Sequence, residues 1–442
     1  MGRVRVAIVT FGCRANQYES DLMRGLLAPR FDLQDAGGGV VDHSNDEPAD
    51  VWILNACTVT GLADRKARQA ARRLRREHSD ALVIVVGCLA DAVEQSLTEF
   101  TDAHLLAGNA WKGHIVTVVE QALSGTRGLL PPTAPMLIAE ERSAGPSGRV
   151  RAFLRIQDGC ARACTYCRTT QVRGEPRSKP IAVVVDEAER LVRGGFPELV
   201  VTGIDLAQYA PPSGSLADAV RGILAIDGLV RFRLASINVS GITAELVDAF
   251  ASDERTCPHF HVPLQSGDDR ILRRMARGYT VDDYMKRISL IRQALPEATF
   301  GTDLIVGFPG EDGEAFENTC RIVETVGYAN LHAFRFSPRP GTRAATFDGI
   351  VPEATKKDRA ETLGARWLET LRRILDKRIG TTQHVLVEER REGVWRGYTR
   401  DYIHVRFTSH EEIPIGSTRP VRVTGAQAEH LEGTDDKRAD AH

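Results

Sequence analysis

Apolar residues along this chain fall into short runs, separated by stretches in which they recur every three or four positions. Residues 4–9, 51–54 and 82–86 are β-branched and nearly uninterrupted, the pattern of strands covered on both faces. The stretches 19–27 and 63–77 read as helices. Strand–helix alternation predicts a parallel α/β sheet domain over residues 1–124. Residues 125–148, rich in Gly, Pro and Ser at 125–135 and 143–148, read as a linker. Alternation resumes in 149–378, with strands expected at 150–156, 199–202, 232–237, 260–264, 299–306 and 331–336. Residues 353–379 form a long amphipathic helix with Leu363, Trp367, Leu371 and Ile374 on one stripe. Residues 379–430 are β-rich, with strands expected within 383–407 and 418–424, and the polar stretch 431–442 reads as a disordered tail.

Cysteines stand where this pattern gives them meaning. Cys13, Cys57 and Cys88 each follow one of the first three strands. Ligands of an open parallel sheet sit outside the carboxyl ends of its strands, so the three can converge on one point. Singly, each reads as a core cysteine, the usual fate of a free thiol. Their matching positions favour three ligands of one iron–sulfur cluster. A second set, Cys160-Ala161-Arg162-Ala163-Cys164-Thr165-Tyr166-Cys167, directly follows the strand expected at 150–156. Its C-x3-C-x2-C spacing suits three irons of a 4Fe–4S cubane and leaves the fourth iron open. Such clusters are normally held by four cysteines, and an open corner points to chemistry rather than electron carriage. The alternative is a zinc site, which usually uses paired C-x2-C units or added His.

Length and composition refine this only slightly. A chain of 442 residues suggests about three domains, and 42% hydrophobic with 26% charged residues is ordinary for a globular protein. No apolar run is long enough to span a membrane, and the N-terminus lacks the apolar core of a signal peptide. Eight cysteines in metal-ligand spacing imply a reducing, cytoplasmic setting, with Cys257 and Cys320 left over, the latter in a buried helix. The net charge of −2 does not announce a nucleic-acid partner. Local charge does: 65–76 is strongly basic, and at helical spacing Arg65, Arg68, Arg72 and Arg76 lie away from the stripe of Ala67, Ala70, Ala71 and Leu74. That face either meets RNA phosphates or is a solvated basic surface.

Several motifs are similar to those of the radical S-adenosylmethionine (radical SAM) methylthiotransferases. They are Thr10-Phe11-Gly12-Cys13-Arg14-Ala15-Asn16-Gln17-Tyr18-Glu19-Ser20, Asn55-Ala56-Cys57-Thr58-Val59-Thr60, Ala63-Asp64-Arg65-Lys66 and the Cys160–Cys167 triplet. Thr202-Gly203, His261-Val262-Pro263-Leu264-Gln265-Ser266-Gly267, the run Thr302 to Glu311 and Ser337-Pro338-Arg339-Pro340-Gly341-Thr342 extend the likeness from about residue 4 to about residue 423. The Asn-Gln-Tyr-Glu-Ser and Thr-Val-Thr versions resemble the branch acting on N6-threonylcarbamoyladenosine beside the tRNA anticodon. The resemblance implies two 4Fe–4S clusters and SAM as cofactors, a tRNA substrate, and an external electron donor and sulfur source. It also implies a partial (β/α)6 barrel at 149–378, whose chemistry belongs at the carboxyl ends of its strands, and a TRAM-like RNA-binding β-barrel at 379–430. Trp395, Arg396, Tyr398, Arg400, Tyr402 and Arg406 supply the aromatic and basic side chains such a surface uses. Tyr166, Gln265 and Ser236 are candidate SAM contacts, and Asp303 serves either substrate or fold.

The chain departs from the family at Arg168-Thr169-Thr170-Gln171-Val172, where an Ile-Ile-Pro-like run is usual. It also departs at Ala235-Ser236-Ile237-Asn238, usually Ser-Ser-Ile-Glu, and at Arg335 and Phe336, usually Pro-Tyr. The alternatives are a methylthiotransferase for isopentenyl-adenosine in tRNA or for an Asp of a ribosomal protein, and, in another class, a non-catalytic Fe–S RNA-binding protein.

Overall fold

The computed structural model describes residues 3–34, 49–58, 61–132, 138, 140–143, 145 and 148–436. Val59 and Thr60 of the second motif, parts of the linker and residues 437–442 lie outside the described residues.

Six strands form the first sheet: β1 Arg5–Phe11, β2 Asp32–Gln34, β3 Val51–Ala56, β4 Leu82–Val86, β5 Leu105–Ala107 and β6 Gly128–Leu129. Their order is β2-β1-β3-β4-β5-β6 and every pair is parallel. Val6, Ile8, Ile53 and Ile84 face one apolar layer, while Val9, Trp52, Leu54 and Val83 face the other. The uninterrupted apolar runs are thereby explained. Helices α1 Arg14–Leu27, α2 Gly61–Glu77, α3 Cys88–Glu94 and α4 Ile115–Leu123 follow these strands.

The central domain carries β7 Arg151–Asp158, β8 Arg177–Ser178, β9 Glu198–Gly203, β10 Arg231–Leu234, β11 His259–His261, β12 Thr299–Val306 and β13 Asn330–Arg335. β7, β9 and β10 are parallel neighbours, as are β11, β12 and β13, and bridges Phe232↔Thr256 and Ser236↔His261 join the two groups. The result is an open six-stranded half-barrel, with β8 as an added antiparallel edge. Leu154, Val201, Phe232, Phe260, Phe300 and Leu304 pack outward beneath the helices. The alternate residues point inward and are unusually polar: Arg151, Arg155, Glu198, Arg233, His259 and Asp303.

The C-terminal barrel closes as β14-β15-β16-β18-β17, from β14 Thr382–Arg391, β15 Val394–Tyr398, β16 His404–Thr408, β17 Thr418–Gln427 and β18 His430–Asp435. Residues 431–435, expected to be disordered tail, are therefore barrel strand. β18 pairs with both β16 and β17, and Leu431 is buried at its centre. The polarity of the other side chains misled because they face outward.

The barrel is clamped to the central domain. Arg231 donates to the carbonyls of Tyr398 and His384 (3.2 and 3.0 Å), and Arg400 donates to those of Glu254 and Thr256. Tyr402, in the left-handed region at φ +69°, inserts its ring among Arg151 and Arg233 of the half-barrel and Arg14 of the first domain. The long helix Glu353–Asp376 buries Leu363 and Leu371 between the two domains, as its stripe predicts.

Candidate active site

At the carboxyl end of β7 the chain turns through Gly159, at φ +75°. A Cβ there would stand 2.0 Å from the Glu175 carbonyl oxygen, so glycine is required. The Cys160 amide then donates to the Gly174 carbonyl (3.0 Å), closing a loop that holds Cys160, Cys164 and Cys167, all half-buried. N–H groups are aimed at the sulfurs: Gln208 Nε2 at Cys160 (3.1 Å), Arg277 Nη1 at Cys164 (3.1 Å) and the Thr169 amide at Cys167 (3.3 Å). Burial pushes the Cys160 and Cys167 thiols up, and the neighbouring sulfurs push further. Three sulfurs brought into one loop, each met by an N–H donor, suit ligation by a positive metal cluster.

The other three cysteines stand at the ends of adjacent strands β1, β3 and β4. A Cβ on Gly12 would lie 2.7 Å from the Cys57 Cβ, so the loops bearing Cys13 and Cys57 touch. Asn16 bridges onward: its Oδ1 is 3.2 Å from the Cys13 sulfur, and its Nδ2 donates to Asn55 Oδ1 (3.2 Å). A Cβ on Gly87, just before Cys88, would in turn meet Asn55 Oδ1 at 3.2 Å. Cys88 itself is buried and receives Arg173 Nε (3.2 Å) and Asn109 Nδ2 (3.5 Å). Burial raises its thiol, against the opposing charges of Arg173 and Lys112. Cys13 is exposed and Cys57 buried. The loops bearing Cys13, Cys57 and Cys88 are thus linked through Asn16 and Asn55 at one end of the sheet.

One short helix, α5 Thr169–Arg173, links the two sets. It begins beside the Cys167 sulfur and ends with Arg173 on the Cys88 sulfur, and Val172 packs against Cys88. Five helical residues span about 7 Å. Behind the helix lies a buried ion network centred on Glu19, whose carboxylate meets Lys112, Arg155 and Arg173. Burial alone would raise the Glu19 carboxyl, but Arg173, Lys112 and Arg155 outweigh it and hold it well below the usual carboxylate range.

Comparison with known proteins fits this arrangement. The Radical SAM superfamily profile matches residues 154–323, and that of Uncharacterized protein family UPF0004 matches residues 5–108. A threonylcarbamoyladenosine tRNA methylthiotransferase MtaB of Thermotoga maritima is 34% identical over 427 residues, covering 96% of this chain and 95% of that protein. The chain belongs to the radical SAM methylthiotransferases. The Bacillus subtilis MtaB is 30% identical, and the tRNA-2-methylthio-N(6)-dimethylallyladenosine synthase of Pelotomaculum thermopropionicum is 31% identical over 96% of both chains. Among solved structures, the radical S-adenosylmethionine methyltransferase TsrM of Kitasatospora setae, with cobalamin and a [4Fe-4S] cluster bound, shares the fold. Its TM-score is 0.56 at 16% identity, over 78% of this chain and 77% of that one.

Around the triplet of this methylthiotransferase, the candidate SAM contacts take distinct places. Tyr166 packs edge-on to Phe308 (6.4 Å between ring centres), so it has a packing role in its own right. Gln265 lies just beyond β11 in the left-handed region, φ +73°, and is stitched to β12 through both its amide and its carbonyl. Ser236 pairs with His261 across the β10–β11 junction. Asn238, at the departing position, is 9% exposed, and its Oδ1 has no partner among the described residues. Arg168 explains another departure: buried, it donates to the carbonyls of Pro340 (2.9 Å) and Leu97 (3.2 Å), tying the triplet loop to the first domain and to the segment after β13. Arg335 pairs with Glu353, and Phe336 packs against Phe308.

Of the expected RNA contacts, Trp395 is corrected and the others take varied places. Trp395 is 2% exposed: β15 alternates, and Trp395 and Gly397 point into the barrel. Arg400 is spent on the domain clamp described above, and Arg396 is half-buried, 3.5 Å from Glu389. On α2, Arg68 is held by Asp64, Thr98 and the Glu99 carbonyl, while Arg72 and Arg76 pair with Asp102 and Glu77 and keep their side chains 65% and 73% exposed. Arg65 and Lys66 are exposed, with no ion-pair partner among the described residues. Sequence reasoning missed Lys112, Arg155, Arg173, Gln208 and Arg277. Each is isolated in the chain, and only the fold brings it to a sulfur or to Glu19.

Proposed function

We propose that this enzyme converts N6-threonylcarbamoyladenosine next to the tRNA anticodon to its 2-methylthio derivative. The observation that carries the reading is the pair of cysteine sets joined through α5, in a chain whose relatives named for this substrate match it over nearly their whole length. Cys160, Cys164 and Cys167 hold a 4Fe–4S cluster and Cys13, Cys57 and Cys88 a second. Bound at the first, SAM supplies the radical chemistry that activates an inert aromatic C–H bond. Gln208, Arg277 and the Thr169 amide orient the first sulfur set and Arg173 and Asn109 orient Cys88, with Arg277 and Arg173 supplying the positive charge. Tyr166, Gln265, Ser236 and Asn238 line the SAM side. An external reductant and a sulfur source complete the reaction, in the cytoplasm. Among the described residues no helix is long and apolar enough to cross a membrane.

The closed C-terminal barrel acts as a TRAM-like RNA grip, together with the exposed end of α2. Changing Arg65 and Lys66 to Glu weakens tRNA binding several-fold at low salt, the loss shrinking as salt rises, because phosphate contacts are salt-dependent. Arg68→Glu instead lowers the unfolding midpoint, since Arg68 holds Asp64 and the Thr98–Glu99 turn. Filter binding and urea unfolding separate the two, and equal affinity in the double variant returns the helix to a solvated surface.

The substrate is tested by competition between tRNAs carrying threonylcarbamoyl, isopentenyl or unmodified adenosine, with SAM, reductant and sulfide. Preferential conversion of the threonylcarbamoyl substrate is expected. Preference for isopentenyl-adenosine, the substrate class of the dimethylallyladenosine synthases among the relatives, would move the enzyme to that branch.

A further inference from the structure

The inner wall of the half-barrel ends in a cluster that neither cysteine set uses. Asp303, midway along β12, is flanked by two imidazoles from the strands on either side. His261 Nε2 lies 3.1 Å from one carboxylate oxygen and His332 Nδ1 3.0 Å from the other. The two rings are tilted 32° with centres 5.6 Å apart. Burial would raise the Asp303 carboxyl, but its bonds to His261 and His332 outweigh that and hold it well below the usual range. An ionised carboxylate fixes the tautomer of each ring it bonds. His332 therefore gives its Nδ1–H to Asp303 and presents Nε2 outward.

Exposure rises steadily across this cluster: the side chains of His261, Asp303 and His332 are 10%, 25% and 61% exposed. His332 sits on β13, the open edge strand, and Phe334 stands two residues on along the same face. Phe334 is 45% exposed and edge-on to the His332 ring at 6.3 Å. Immediately beyond β13, Arg339 donates to the Thr58 carbonyl (2.6 Å), next to Cys57. The open edge thus runs from an exposed aromatic ring and an outward imidazole up to the loop of a cysteine ligand. An exposed ring beside a carboxylate-held imidazole combines an apolar face with a polar handle. It suits a flat base bearing a polar arm: the ring offers a stacking face, and Nε2 accepts from a hydroxyl or, when protonated, donates to a carboxylate.

We infer that His332, held by Asp303 and backed by His261, together with Phe334 forms the subsite that seats the target adenine and reads the hydroxyl- and carboxylate-bearing arm on its N6. The inference rests on the substrate proposed above. It assigns discrimination to His332 and Asp303 and base stacking to Phe334, and it makes Asp303 a positioning residue that acts through His332.

The test is a ratio, so that the amount of active enzyme cancels. For wild type, His332→Phe, Asp303→Asn and Phe334→Leu, kcat/KM is measured on tRNA carrying threonylcarbamoyladenosine and on tRNA carrying isopentenyl-adenosine. Binding of anticodon stem-loops with and without the threonylcarbamoyl group is measured alongside by anisotropy, which needs no turnover. His332→Phe and Asp303→Asn lower the preference for the polar arm on the order of 10- to 100-fold, the loss of one or two hydrogen bonds to a charged or polar group. Phe334→Leu weakens both stem-loops alike. A wild-type preference that survives intact in the His332 and Asp303 variants, in turnover and in binding, overturns the inference while leaving the proposed function standing. A wild-type enzyme with no such preference overturns the function itself. Because two imidazoles and a carboxylate also suit a divalent cation, zinc or iron retained by wild type beyond its clusters and lost in His332→Phe would make this a metal centre and overturn the subsite.

Discussion

Replacing Cys160, Cys164 and Cys167 together with Ala eliminates SAM cleavage and cuts reconstituted iron from about eight to about four per chain, one cubane of two. The expectation rests on the loop closed by the Cys160–Gly174 hydrogen bond, which turns three thiols toward one another and toward the donors Gln208, Arg277 and Thr169. The triple replacement of Cys13, Cys57 and Cys88 loses the same amount of iron but keeps reductive SAM cleavage while losing sulfur insertion. Iron analysis, deoxyadenosine production and nucleoside mass spectrometry read the three quantities separately. A barrel-triplet variant that retains all its iron removes the ligand assignment, and methylthiolation surviving in the N-terminal variant removes the division of labour.

Glu19→Ala is expected to be the most destabilising change outside the cysteines, by about 3–5 kcal/mol, the usual cost of deleting one partner of a buried charge network. Glu19 is 1% exposed and faces Lys112 from its own domain and Arg155 and Arg173 from the central one. Without it, Lys112 is left buried and its pairing lost, and α1 loses its charge link to β7 and α5. Urea unfolding checks this: the midpoint falls. Because Arg173 also touches Cys88, retention of iron at the N-terminal site falls too. Stability within about 1 kcal/mol of wild type, the ordinary scale of point mutants, would show that Asp158 and Glu141 compensate for the missing carboxylate.

The fate of the Asn-Gln-Tyr-Glu-Ser motif shows what was legible in the chain and what was not. Periodicity placed β1, β3, β4 and β12 within a residue or two, because strands covered on both faces or packed under helices leave strong apolar signals. It also located all six cysteines at strand ends or in one short loop. Family likeness led the motif to be read for substrate branch. In the folded chain its side chains are structural: Gln17 accepts from Arg149 (2.8 Å), Tyr18 donates to Glu187 (2.9 Å), Glu19 anchors three cations, and Ser20 accepts from Asn55 (2.9 Å). No local pattern announces partners 35 to 169 residues away. Trp395 failed for the opposite reason, since alternation in β15 was readable but composition was trusted over it. The His261–Asp303–His332 cluster was invisible because each residue lies on a different strand, and only parallel register sets Asp303 opposite His332.

The seating of Tyr402 makes the C-terminal barrel a fixed gauge rather than a swinging tether. Its ring is locked among cations from two other domains, and its neighbours are held too: Arg231 donates to the Tyr398 carbonyl, Arg378 to the Asp401 carboxylate, and Arg400 to the Thr256 carbonyl. On the proposal that this barrel grips RNA, the RNA would be held at a set span from the sulfur loops. Which nucleotide reaches the chemistry is then decided by length along the RNA, before any base is read.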